Sequence, residues 1–417
     1  MKRSTRLTGL LLTAAAVIMA LMNFNFTTSD QNDQEKVKVT LADPDNGTYS
    51  VEPEIPEDGM VEKGTVLRVE ASPASGYSLD AIYYTVKGGM WGTTSFESFK
   101  PSMEITVDKD MVVGATFIPS DLVSDLNVIQ DIVYAKPGKK ALKYDIYSPE
   151  NADGLPIIVI IHGGGWSSNN EDIMRGLARE LAKGNRYVVA SIDYRWINKL
   201  DGDSEPNYMH QLIEDVFGAI AHIQEHAEEY GGDPDRIAVT GDSAGGHLSA
   251  AAAVFGPMIG DGGFGEKPGV YEFMPTYIPE GKTVEQVRAE ITGAVKAAAP
   301  SYGPFNAADF SNFIAQKDQA YLDAVSPIKH VPDATDRAIP HFMVRGTMDP
   351  LIPDEAVQGY ADVLTAHGQK AVYIQVEGAG HAFFDWKPDS QTRNTFARYG
   401  VPYAEDMREF FDEVFYN

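Results

Sequence analysis

The sequence contains no cysteine. That excludes disulfides, thiolate metal sites, a cysteine nucleophile and a lipid-modified cysteine behind a leader. Basic residues are scarce: 34 Lys and Arg stand against 60 Asp and Glu, for a formal net charge of −26. A surface of that sign repels nucleic-acid phosphate and anionic membrane, so neither is expected as a partner. The apolar stretch from about Leu10 to Met22 is short for a membrane span. It follows Lys2, Arg3 and Arg6, which predicts a secretory signal within residues 1–30, with Ala20 as the best small residue for cleavage. An uncleaved anchor is the alternative. Export without disulfides points to a bacterial protein, secreted, periplasmic or at the cell surface.

What is present fits a chain able to fill a core. Of 417 residues, 43% are hydrophobic and 23% charged, a length comfortable for two domains. From Lys36 to Pro119 the pattern alternates with period two. KVKVTLA, TVLRVEA, LDAIYYTV, MEITV and MVVGATF read as short strands, divided by turn signals such as Asp45-Asn46-Gly47 and Ser75-Gly76. No helical spacing interrupts them, so residues 36–119 are expected to form a small all-β sandwich. Trp91, Phe96 and Phe99 are candidates to stack on sugar rings, with core or rim packing as the plainer reading. DPDNG at 43–47 has glycine where a calcium loop needs an oxygen ligand and reads as a turn, so no metal is expected.

After Ser120 the period changes. PIIVIIH, YVVASIDY, RIAVTGD, HFMVRG and AVYIQVEG are near-continuous apolar strands, and stretches with apolar residues three and four apart lie between them. That alternation predicts an α/β domain over 121–417, its parallel sheet covered on both faces. The segment 255–292, rich in Gly, Pro and aromatics, is expected to form a flap. Phe264, Tyr271, Phe273 and Tyr277 on it, with Trp166, are candidate substrate contacts.

One stretch in this domain carries chemistry. VTGDSAGGH at 239–247 sets Ser243 among glycines, after an apolar strand and before an Ala-rich helix. G-x-S-x-G is weak by itself in a chain with 38 glycines. Its placement strengthens it, because a strand-to-helix corner exposes the hydroxyl and aims the free amides of a helix N-terminus at the same point. A serine nucleophile needs a base, and the base an orienting acid. Among nine histidines, His381 in EGAGHAFF follows a strand on a glycine-flanked loop. His222 and His226 read as a solvated helical pair, and His247 as packed on the helix that follows Ser243. Asp349 follows the strand HFMVRG, whereas the rivals Glu377 and Asp385 lie too near His381 to come from another strand end. The glycines of HGGGW at 162–166 offer backbone amides to an oxyanion. A phosphate loop is disfavoured because no Lys-Ser/Thr follows and no G-x-G-x-x-G is present.

HGGGW, DYR, GDSAGGH, GTMDPLIP and GAGHAFF, in that order, resemble the α/β-hydrolase superfamily. Within it they are similar to the esterase/lipase group that includes hormone-sensitive-lipase-like and bifunctional feruloyl/acetyl-xylan esterases. The resemblance implies a mostly parallel, doubly covered sheet and no cofactor. It implies Ser243 as nucleophile, His381 as base and then acid, and Asp349 as orienter. Gly164, Gly165 and Ala244 correspond to the oxyanion donors, and His162 with Asp193-Tyr194-Arg195 to scaffold. The implied substrate is a small-molecule or polysaccharide ester carrying acetyl, feruloyl or short acyl groups. The chain departs from the family in lacking a helical cap before HGGG and a proline-rich stretch after DYR. GTVLRVEASPASGY with ITVDKDMVVGATF resembles bacterial immunoglobulin-like or fibronectin-like surface repeats, including the divergent B-repeats of internalin-related proteins. That likeness implies a spacer, or a contact with cell wall or polysaccharide. Two other readings stand beside the esterase: a prolyl-oligopeptidase-like peptidase, for which residues 36–119 are too few, and a non-catalytic adhesion protein, against which the intact Ser, Asp and His argue.

Overall fold

In the N-terminal region alternation of exposed and buried positions sets the architecture. The computed structural model describes residues 35–88, 93–199, 205–262 and 272–417. The expected signal or anchor, together with Trp91, Phe264 and Tyr271, lies outside them. Strands β1 (Lys36–Leu41), β2 (Gly47–Glu52), β3 (Met60–Glu62), β4 (Val66–Pro73), β5 (Tyr77–Lys87), β6 (Thr93–Ser98), β7 (Ser102–Thr106) and β8 (Met111–Pro119) form two sheets. One has five strands in the order β3-β1-β8-β5-β6, the other three in the order β2-β4-β7. Val37 and Val39 turn inward while their neighbours face water, as a period of two requires. They meet Leu67, Val69, Ile105 and Val113 in one apolar core. Strands β2, β3 and β6 are additions to the sequence reading.

The rest of the chain builds one eight-stranded sheet, β16-β15-β14-β13-β11-β12-β10-β9. Its strands are β9 (Leu126–Ala135), β10 (Leu142–Pro149), β11 (Leu155–Ile161), β12 (Val188–Ile192), β13 (Gly232–Asp242), β14 (Val295–Ser301), β15 (His341–Gly346) and β16 (Ala371–Val376). The β9 and β10 pairings are antiparallel and the others parallel. Strand β11 is buried throughout after Leu155. Ile157, Val159 and Ile161 face helices α2 (Met209–Glu225), α3 (Ala244–Val254) and α4 (Val284–Ala294). Ile158 and Ile160 face α1 (Arg175–Ala182) and the later C-terminal helix Val401–Phe415. Both faces are covered, so no polar alternation is needed. Helices α5 (Gln319–Ala324), α6 (Asp354–Ala366), α7 (Ser390–Thr395) and α8 (Val401–Phe415) complete the layers. Among the described residues no helix is long and apolar enough to cross a membrane.

The expected flap is corrected where it is described. The Met274 amide donates to the Glu214 carboxylate and the Thr276 amide to the Glu214 carbonyl on α2, and Phe273 is buried between Phe217 and Phe255. These residues cover the outer side of α2 because their aromatics complete the apolar layer there.

Candidate active site

The site stands on the carboxyl edge of the parallel strands, where each strand ends in a loop of special backbone. Strand β13 turns sharply into α3 at Ser243, whose φ of 53° and ψ of −116° are an uncommon pair for a residue with a side chain. The turn tolerates no Cβ at its far side: one on Gly245 would stand 1.9 Å from the Ile161 carbonyl oxygen. The Ser243 amide donates to the Ser301 carbonyl at 3.0 Å, tying the corner to β14.

His381 and Asp349 converge on that corner from the loops after β16 and β15. His381 Nε2 lies 2.9 Å from Ser243 Oγ, and His381 Nδ1 lies 2.8 Å from Asp349 Oδ2. The other Asp349 oxygen accepts the amides of Leu351 and Ile352 at 2.8 and 3.0 Å. Burial raises the Asp349 carboxyl, but its bond to His381, the imidazole's charge and those two amides outweigh burial and hold it below the ordinary value. A carboxylate so held keeps the imidazole oriented with Nε2 facing the serine. The rival Glu377 stands near none of these atoms in any described bond, and Asp385 is buried.

The HGGGW loop follows β11. Gly164 and Gly165 have φ of 119° and 59°, and Trp166 follows at 57°. Among the described residues the turn and loop backbone bonds use neither the Gly164 nor the Gly165 amide as donor. The Ala244 amide opens α3, where first-turn N–H groups have no partner inside the helix. The loop is braced from below. His162 is fully buried, its ring bonded to the Gly163 carbonyl and, at 3.2 Å, to Asp193, and stacked on Tyr194. Tyr194 donates its hydroxyl to the His162 carbonyl, and Arg195 forks onto Asp215. These are the supporting positions that HGGG and DYR imply.

Two residues near the triad carried no signal in the sequence reading. Tyr302, just after β14, lays its ring 5.1 Å from His381 and accepts the Phe384 amide. Asp242, beside the serine, accepts the Gly163 amide at 2.6 Å and is buried. Burial and the facing charge of Asp385 push its carboxyl up to about 7. Asp385 is raised as well, first by burial. Asp242 therefore ties the oxyanion loop to the nucleophile corner, and its place as the first variable residue of G-x-S-x-G, directly before the serine, could have suggested it.

The candidate substrate contacts are corrected. Trp166 is 3% exposed, stacked on Phe310 and edge-on to His247, so its ring is core. Phe273 is core too, and Tyr277 packs on His222 and bonds Glu225, at α2 and away from the triad's described contacts. The reason is shared: large rings beside an open apolar layer gain more by burial than by waiting for ligand. His222 is half-buried and bonds Tyr144, which corrects the solvated-face reading. Among the described residues no cluster of His, Asp and Glu could hold a metal ion.

The fold and this edge define an α/β-hydrolase with a Ser-His-Asp chain. The family model described as BD-FAE matches residues 144–364, and the chain belongs to that family. The chain is 30% identical over 277 residues to the probable carboxylic ester hydrolase LipM of Mycobacterium tuberculosis, covering 61% of this chain and 56% of that one. It is 36% identical over 144 residues to the carboxylesterase NlhH of the same species, covering 34% and 42%. The chain thus spans about half the length of these curated relatives. Among solved structures it is similar to esterase 2 of Thermogutta terrifontis, at 25% identity and a TM-score of 0.50, over 70% of this chain and 96% of that one. A truncated carbohydrate esterase from gut microbiota matches at 25% identity and a TM-score of 0.51, over 69% and 95%.

Proposed function

We propose that the protein is a serine carboxylic-ester hydrolase that works through an acyl-enzyme on Ser243. The supporting observation is the unbroken path Ser243 Oγ, His381 Nε2, His381 Nδ1, Asp349, with 2.9 and 2.8 Å contacts. His381 Nε2 takes the hydroxyl proton as Oγ attacks the ester carbonyl carbon. The oxyanion accepts from the amides of Gly164, Gly165 and Ala244. The tetrahedral intermediate collapses, the carbon–oxygen bond to the alcohol breaks, and His381 gives its proton to the leaving alkoxide. Water, deprotonated by the same nitrogen, then attacks the acyl carbon and releases the acid and the free serine.

The substrate reading is an acetyl or feruloyl ester on polysaccharide, or a small short-chain ester. The similarity to a carbohydrate esterase supports the first. The reading includes export: Lys2, Arg3 and Arg6 ahead of an apolar run fit a secretory signal, which would bring the enzyme to polysaccharide. Ser243→Ala is expected to lower kcat on p-nitrophenyl acetate by about six orders of magnitude. Turnover near wild type would end the assignment. Rates on acetylated xylan, methyl ferulate and a prolyl amide choose the substrate class.

A further inference from the structure

Asp80 belongs to the β sandwich, yet its side chain lies inside the hydrolase. The register of β5 against β8 shifts between Leu79 and Ala81, leaving Asp80 as the extra residue of a bulge. Bulges re-aim side chains, and here three successive residues, Asp80, Ala81 and Ile82, are buried where alternation would bury every second one. Asp80 Oδ1 accepts from Arg175 Nε at 3.2 Å and Arg179 at 2.5 Å. Its Oδ2 accepts from Arg175 at 3.2 Å, Thr116 at 3.2 Å and the indole N–H of Trp386 at 2.9 Å. The arginines sit four residues apart on one face of α1, and Arg175 also reaches Glu97 of β6. Arg175 is 1% exposed and Asp80 2%.

Both segments that Asp80 grips lead to the site. Helix α1 is the continuation of the HGGGW loop, through the turn at Ile173. Trp386 lies five residues after His381, and its backbone amide donates to the Ile173 carbonyl at 2.9 Å. Between them the chain is a tight turn, with the Asp385 amide on the Ala382 carbonyl and Ala382 at a φ of 60°. On its far side the turn is held by Tyr302 through the Phe384 amide. The indole is wedged over Gly176, where a Cβ would stand 2.8 Å from the ring, and lies under the Arg179 guanidinium.

We propose that Asp80 is a positioning residue of the hydrolase. Its carboxylate clamps α1 to the His381 segment, so the β sandwich is a working part of the catalytic unit and no mere spacer. The clamp acts through Trp386 on the imidazole and touches no substrate. It rests on the ester-hydrolase reading, because the group it positions is the base of that reaction.

The test uses the full chain and compares Trp386→Phe, Asp80→Asn and Asp80→Ala. Active-site titration with a fluorophosphonate counts competent sites, and kcat and KM for p-nitrophenyl acetate are taken per site. Trp386→Phe removes the indole N–H together with part of the ring packed on Gly176; it is expected to lower kcat and the labelling rate on the order of tenfold, through a displaced base, with KM within about twofold. Asp80→Asn keeps an acceptor for the indole and is expected to retain more kcat per site than Asp80→Ala. Folded Trp386→Phe or Asp80→Ala with wild-type kcat per site overturns the proposal, and so does Asp80→Asn with no more kcat per site than Asp80→Ala. So does a loss seen only as fewer titratable sites, which is what plain destabilisation of a buried ion cluster produces. If Asp80→Ala does not fold, the kcat of Trp386→Phe decides. Failure of the ester-hydrolase reading is distinct: the wild type would then neither label nor turn over.

Discussion

The β sandwich and the hydrolase sheet bury apolar residues in different ways and carboxylates in different company. In β1 the burial pattern alternates, and in β11 it is continuous. A strand with one dry face can lose every second side chain to water; a central strand between two helix layers cannot. The acids make the same point in electrostatic terms. Asp80 and Asp242 are both buried. Burial pushes each carboxyl up, but Arg175 and Arg179 reverse it at Asp80 and hold that acid well below the ordinary range. At Asp242 the neighbour is another carboxyl, Asp385, and the result is about 7. Burial sets the stakes and the partner sets the sign.

This contrast can be broken by substitution. Ile160→Ala, in a strand buried on both faces, is expected to cost ~2–5 kcal/mol in urea unfolding. A cost near zero would mean the two helix layers do not close on β11. Gly164→Ala places a Cβ 2.5 Å from the Ser168 carbonyl at a φ of 119°, so the amide must move. Loss of one oxyanion donor predicts a kcat on the order of 10²-fold lower, read with a soluble ester. An unchanged kcat would remove Gly164 from the oxyanion site.

The acids predict opposite pH slopes. Asp242, raised in the fold, keeps a proton that the unfolded chain releases between the ordinary carboxylate value and about 7. Its contribution is therefore full at low pH and lost as pH rises through about 7. Asp80, lowered in the fold, contributes above the ordinary carboxylate range and loses that contribution as pH falls. Asp242→Asn keeps an acceptor for the Gly163 amide and cannot titrate. Its Tm is expected to fall less than that of the wild type between about pH 5 and about pH 8. Equal slopes in a thermal melt series would dissociate Asp242 from the pH response. The smallest effect is expected at the sandwich surface: Val66 is 51% exposed, and Val66→Thr should change stability by no more than ~0.5 kcal/mol.

Much of the site was legible because its signals are local. Ser243, Asp349 and His381 each follow a strand on a loop marked by glycine or proline, and strand ends of a parallel sheet share one edge. Strand β14 is not legible in the sequence because VKAAAPS has the alanine content of a helix; only its place between β13 and β15 makes it a strand. The placement of the aromatics Trp166, Phe273 and Tyr277 is hidden from the sequence for a related reason. A large ring on a loop looks alike in sequence whether it faces a ligand or caps a core.

The sequence alone determined two periods, one sheet of continuous apolar strands, and the three side chains and glycine loops that the parallel edge gathers. Those features follow from spacing over a few residues, which local sterics and hydrophobicity control. Only the tertiary structure decided where Asp80 goes. It meets Arg175 across 95 positions and Trp386 across 306, and no local pattern encodes a pairing that exists only once two folded surfaces have closed over the charges.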